Sequence, residues 1–271
     1  MPTPALRIVP AAREHHPDFA RFFAGLELDD PVPDVERWAA EMAPWTFFLA
    51  EGETLVGYAF SEVYGERAYV RHVVVAPDAR GRGVGRALMR ELSSRFRAAG
   101  ASRWELNVKR DNHAAIALYG RCGMRPLYAT TVVRLDWAAL ARLPGTARPL
   151  VARAVEPEQD RDVEAAFRLP DGKLARLRAL EGTVLAQLVE RGAVVAFARF
   201  NPSFPGCFPF RVAAPELARP LIESLAAHAR PGDAWIQLVI EDDDATAAMF
   251  LAAGARTYLE IVHMSGAIPE S

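Results

Sequence analysis

Residues 104–123 and 235–254 of this 271-residue chain repeat one another at a fixed distance. Trp104 and Trp235, Tyr119 and Phe250, and Gly123 and Gly254 each lie 131 residues apart, in the same order and in similar surroundings. One such match is chance; three in register point to a duplicated domain. At 51% hydrophobic residues the chain has enough apolar surface for two cores. The Pro, Gly and small residues of "ARLPGTARP" (141–149) read as a linker, which gives domains of 1–143 and 144–271.

Within the first copy, "ALRIVP" reads as a strand, and Ala11 to Ala43 as one or two helices interrupted near Pro31 and Pro33. "WTFFLAEG", "ETLVGYAFSEVYG" and "RAYVRHVVVAP" are β-branched and aromatic runs separated by turn residues, the pattern of an antiparallel meander. Val84, Ala87, Leu88, Leu92, Phe96 and Ala99 then recur at helical spacing, with Gly100 as the stop. "SRWELNV" is a strand, "DNHAAIALYGRCG" a helix and "LYATTVVRLD" the last strand of the copy, and such strand–helix–strand units pair in parallel. The expected class is α/β (α+β), with two tandem domains, each a mixed, mostly antiparallel sheet flanked by helices.

The repeat breaks at one place. Pro77 and Pro215 are 138 residues apart, but Leu88 and Leu221 only 133, so the second copy lacks five residues there. The missing piece is the turn "RGRGVGR" (80–86), which "APELARP" replaces. A helix start leaves its first N–H groups unpartnered at the positive end of the dipole. Glycines let backbone approach a ligand closely, and Arg80, Arg82 and Arg86 add charge, so the turn suits a phosphate or pyrophosphate. It lacks the Gly-Lys-Ser/Thr ending of a nucleotide triphosphatase loop and does not complete G-x-G-x-x-G.

Charge and composition narrow the rest. A net charge of -2 gives no general attraction to nucleic acid or to an anionic membrane, and no run approaches the about 18 apolar residues of a membrane span. Cys122 and Cys207 fit no disulfide framework, and the six histidines show no zinc spacing, so no metal is expected. The N-terminus has no signal-peptide core, and the expected location is the cytoplasm.

Arg80-x-x-Gly83-x-Gly85, after a strand ending in "VVVAP" and followed by "ELNVKRDNHAAIALYGRCGM", resembles the acyl-CoA-binding signature of the GNAT superfamily of N-acyltransferases. The resemblance covers roughly residues 66–130 closely and the second copy only in outline. It implies two tandem GNAT-like domains, the second degenerate. It also implies direct transfer of acetyl from acetyl-CoA to a primary amine of a small molecule or peptide, with no metal, by a monomer or homodimer. The residues it assigns to the cofactor are Val73, Val74 and Val75 for the pantetheine arm and Arg80, Gly81, Arg82, Gly83, Val84, Gly85 and Arg86 for the pyrophosphate. Asn112 and Tyr119 complete that set, with Tyr119 near the sulfur as the acid and the Val73 N–H as the oxyanion donor.

Where some relatives carry a glutamate or histidine as base, simple alternation puts Tyr69 and Arg71 on the face of Val73 and Val75, with His72 on the other. Neither Tyr69 nor Arg71 readily accepts a proton. Glu62 and Glu66 on the preceding hairpin are the nearest carboxylates in sequence; Glu62 is the candidate base, and a water relay is an equal alternative. Plainer roles fit some of these residues too: Asn112 as a helix N-cap, Tyr119 as a core aromatic, His72 as a packing residue. The competing function is a CoA-binding sensor or scaffold without turnover.

Overall fold

The structure, a computed structural model, describes residues 6–26 and 32–270. The chain forms two compact units, residues 1–127 with 262–271 and residues 128–261.

In the first unit β1 (Leu6–Pro10), α1 (His16–Ala24) and α2 (Val35–Arg37, continuing as a π-helical turn to Met42) precede β2 (Thr46–Glu51), β3 (Thr54–Tyr64) and β4 (Arg67–Val75). Asp34, just after Pro33, starts α2 by accepting from the Arg37 N–H; the break expected at Pro31 lies outside the described residues. Strands β2 to β4 form the expected antiparallel meander, and β1 adds to it antiparallel to β2. Helix α3 (Val84–Ala98) then returns the chain, so that β5 (Arg103–Lys109) pairs in parallel with β4 and leads into α4 (His113–Arg121).

Strand alternation sorts the core onto two faces. Tyr58 packs against Phe19 and Phe22 of α1, with Trp38 stacked on Phe19 at 4.3 Å. The neighbouring Gly57 faces Val84 and Leu88 of α3, whose Leu88, Leu92 and Phe96 are buried beside Trp104. Each such side chain contributes about 1.5–3 kcal/mol on burial, which is why the heptad-like spacing of α3 was readable.

The second unit repeats the plan. Strand β6 (Arg125–Asp136) enters it, followed by β7 (Leu150–Ala154), α5 (Asp160–Ala166), α6 (Lys173–Arg178), β8 (Val184–Glu190), β9 (Ala193–Asn201) and β10 (Gly206–Val212). Then come α7 (Ala218–Leu225), β11 (Trp235–Glu241), α8 (Asp244–Ala252) and β12 (Arg256–Ala267). Strands β7 to β10 are antiparallel and β10 pairs in parallel with β11.

The strands at the end of each copy differ from the sequence expectation. Thr130–Asp136 of β6, read as closing the first domain, runs antiparallel to β11 of the second unit. The end of the chain closes the first unit instead: Met264 and Ile268 lie in its core, and the Ile268 N–H donates to the Ser102 carbonyl at 2.9 Å. A cut at 143/144 therefore does not separate the compact units. Duplication produces two last strands of the same pattern, and nothing local in either one says which open sheet edge it joins. Among the described residues, no helix is long and apolar enough to cross a membrane.

Candidate functional site

The sheet of the first unit opens in a fork. Pairing of β4 with β5 runs from Arg67–Arg103 to Val70–Leu106 and stops, although β4 continues to Val75 and β5 to Lys109. The Ala76 N–H bonds the Val56 carbonyl on β3, so by alternation Val74 also turns its backbone to β3, while Val73 and Val75 present theirs to the open fork. Two of the three expected valines thus turn their peptide groups to the gap, where the Val75 carbonyl accepts from Arg80, and Val74 does not.

The turn at the fork's end is built as its glycines require. Gly81 has φ +75° and Gly83 φ +88°, left-handed values that a side chain disfavours. Gly85 is needed for space: a Cβ there would lie 3.1 Å from Leu118 of α4 and 3.7 Å from Val75. These contacts bring the end of β4, the start of α3 and α4 together. Gly83 is the N-cap of α3 and no side chain caps the helix, so the N–H groups of Val84, Gly85 and Arg86 have no intrahelical acceptor. By contrast, the Asn112 side chain caps α4 by accepting from Ala115 N–H at 3.1 Å.

The three arginines are not equivalent. Arg80 donates to the Val75 carbonyl at 3.3 Å and Arg82 pairs with Glu51 at 2.7 Å, while Arg86 is exposed without an ion pair among the described residues. A cleft of ≈ 410 Å³ beside the Arg82–Glu51 pair is lined by Leu6, Ile8, Leu49 and Arg90; it reaches neither Asn112 nor Tyr119.

Tyr119, on α4, is 7% exposed. Burial, with a smaller contribution from Cys122, pushes its phenol up to about 12, so at neutral pH it is a proton donor. Cys122 itself is half-buried, and burial, partly offset by the Arg121 and Arg86 cations, pushes its thiol up.

On β4 a bulge overturns the expected facing of the side chains. Ser61 opposes Val70 but Phe60 opposes His72, so Arg71 is an extra residue. Tyr69, opposite Glu62, therefore shares the Tyr58 face with His72, whereas Val73 and Val75 share the α3 face. Arg71 joins Tyr69, stacking on its ring at 4.4 Å and pairing with Glu62. No glycine or proline in β4 marks this insertion.

His72 is a packing residue, as read. It lies between Phe23 and Phe60 and shares a 3.0 Å hydrogen bond with the Tyr58 hydroxyl. Burial, then the Arg71 cation, lower its imidazole to about 4, so it is neutral at pH 7. Among the described residues no group of His, Cys, Asp and Glu is placed to hold a metal ion.

The acetyltransferase (GNAT) family matches residues 12–124 of the chain. An acetyltransferase of Yersinia pestis (strain Pestoides F) is 35% identical over 92 residues, 34% of this chain and 64% of that protein. The chain thus spans under two thirds of the length of that curated relative. Over the whole length, a GCN5-related N-acetyltransferase of Sphaerobacter thermophilus shares the fold with a TM-score of 0.67 at 18% identity, covering 98% of this chain and 96% of that one. A tandem GNAT protein from the clavulanic acid biosynthesis pathway has a TM-score of 0.57 at 19% identity, with 98% and 100% covered. Residues 12–124 thus carry the pattern of the acetyltransferase (GNAT) family, and the chain as a whole has the fold of these GNAT structures.

Proposed function

We propose that the first unit transfers an acetyl group from acetyl-CoA directly to a primary amine, on a small molecule or a peptide in the cytoplasm. The observation that carries this reading is the meeting of an open sheet fork with an uncapped helix start. The amides of Val84, Gly85 and Arg86 suit a pyrophosphate, with Arg86 as the available cation. The peptide group of Val73 and the N–H of Val75 suit the amides of a pantetheine arm, which would lie in the fork as an added strand.

The chemistry follows from that placement. Attack of a neutral amine on the thioester carbonyl builds an oxyanion, and the Val73 N–H faces the fork where that charge would develop. As the C–S bond breaks, the thiolate takes a proton or a hydrogen bond from Tyr119, whose raised phenol pKa keeps the proton available. Asn112 has its side-chain oxygen committed to the helix cap, which leaves its amide N–H groups for the cofactor.

Glu62 can act as base only when its pairing with Arg71 opens, or through water. That pairing favours the second reading, a CoA-binding unit without turnover. One assay separates them: purified chain, acetyl-CoA and a panel of primary amines, with free thiol followed in time. Amine-dependent thiol release supports transfer; CoA binding with no release from any amine supports the sensor.

A further inference from the structure

The second unit has kept the fork and reversed its charge. Strands β10 and β11 pair only at Gly206–Gln237 and Cys207–Leu238. Beyond that, β10 stays on β9 through Phe210–Ala198, Arg211–Phe197 and Val212–Ala196, and β11 stays on β6 as far as Glu241–Thr130. The facing edges diverge around a cavity of ≈ 210 Å³ lined by both strand ends and by Asp242, Asp243 and Thr246 at the start of α8.

At the 131-residue offset, Arg110 and Asn112 of the first unit correspond to Glu241 and Asp243. The cavity wall carries Arg211 against Glu241, Asp242 and Asp243, an excess of two negative charges. Arg211 is already paired with Glu241 and also donates to the Phe210 carbonyl at 3.1 Å. Asp243 spends one oxygen capping α8, accepting from the Thr246 N–H at 2.9 Å. Asp242, at the mouth, has no ion pair among the described residues, although its N–H donates to the Ala129 carbonyl at 2.8 Å.

An independent observation points to a ligand. Thr246 lines the same cavity, is fully buried, and its Oγ1 has no hydrogen-bond partner. A buried hydroxyl left unmade costs stability, so its retention beside an open cavity asks for a partner that enters from outside. The acceptors around the space are the Asp242 carboxylate, the Thr246 hydroxyl and strand carbonyls beyond the last β10–β11 pair, of which that of Phe210 already accepts from Arg211. No three acidic or imidazole groups among the described residues converge at metal distance.

We propose that the fork of the second unit binds a small primary alkylammonium ion. Its three N–H donors would be shared between Asp242, the Thr246 hydroxyl and a strand carbonyl, and its alkyl chain would lie along Phe210, Val212 and Ile240. This binding is independent of any turnover in the first unit.

The test uses the full chain with ¹³C-methyl-labelled threonine and n-butylammonium chloride as the probe, at constant ionic strength. Thr246→Val assigns the Thr246 methyl resonance. The expected result is a saturable shift of that resonance with n-butylammonium, none with butan-1-ol, and an affinity lowered at least about tenfold in Asp242→Asn. Asn is chosen because Asp242 has φ +53°, a conformation Asn tolerates; Asp242→Gly, also at ease there, checks the result in a second background. A Thr246 methyl that does not respond, or responds equally to butan-1-ol, overturns the proposal. So does undiminished affinity in both Asp242 variants.

Discussion

The turns at 77–80 and 215–218 close with the same two backbone hydrogen bonds, but the second unit enters its helix directly while the first inserts residues 81–83 before α3. In the first unit Gly81 and Gly83 adopt left-handed φ values and leave the first amides of α3 pointing outward without a cap. In the second unit Leu217 N–H bonds Ala214 and Ala218 N–H bonds Pro215 within the turn, while Pro215 and Pro220 have no N–H to offer. Both sheets fork. A fork therefore comes with the fold, and what it can hold is set by the few residues that close its end: glycine and arginine in one unit, proline and carboxylates in the other.

The sharpest way to break this contrast is Gly83→Val, which places a β-branched residue at φ +88°. CoA affinity, measured by calorimetry, should fall more than about a hundredfold, because several charge-assisted hydrogen bonds go together. A change under about threefold would mean the helix start is not the cradle. Next in size, Tyr119→Phe gives the first unit the residue that Phe250 supplies in the second. Amine-dependent thiol release should fall about a hundredfold with CoA affinity held within about threefold. Equal loss in both would make Tyr119 a packing residue.

His72 tests the other face of the sheet; 138 residues later the second unit has Phe210. Because burial lowers His72 to about 4, the unfolded chain binds the extra proton between there and about 6.5. The stability this histidine contributes in its neutral form is thus present near pH 7 and lost as pH falls, by about 2 kcal/mol at pH 4.5. Urea unfolding of His72→Phe should show that part of the acid slope removed; an unchanged slope would place the titration elsewhere. The smallest effect expected is that of Arg86→Ala, a roughly fivefold rise in the CoA dissociation constant that shrinks in high salt. Arg211→Ala in the second unit should leave CoA affinity unchanged.

Much of the site was legible because its signals are local. A left-handed turn needs glycine at particular residues, and Gly81 and Gly83 stand where they are required; a helix start with a short polar side chain reads as a cap, and Asn112 is one. Gly85 was harder, since its reason is Leu118 on another helix. The bulge at Arg71 was not legible at all. It inserts one residue into β4 opposite Phe60, and the run from Ala68 to Val75 holds no glycine or proline to mark the place. The pairing of Glu62 with Arg71, which decides how freely that carboxylate can serve as a base, follows from the bulge and was hidden with it.

By itself the sequence determined the duplication, the order of the elements and the one turn able to cradle an anion, since each depends on spacing and on side-chain chemistry within a few residues. Tertiary structure alone decided which strand closes which sheet, where β4 parts from β5 and which valines face the gap. Those outcomes depend on hydrogen bonds between segments distant in the chain. A strand carries the same donors and acceptors whichever edge it joins, so only the assembled fold can choose.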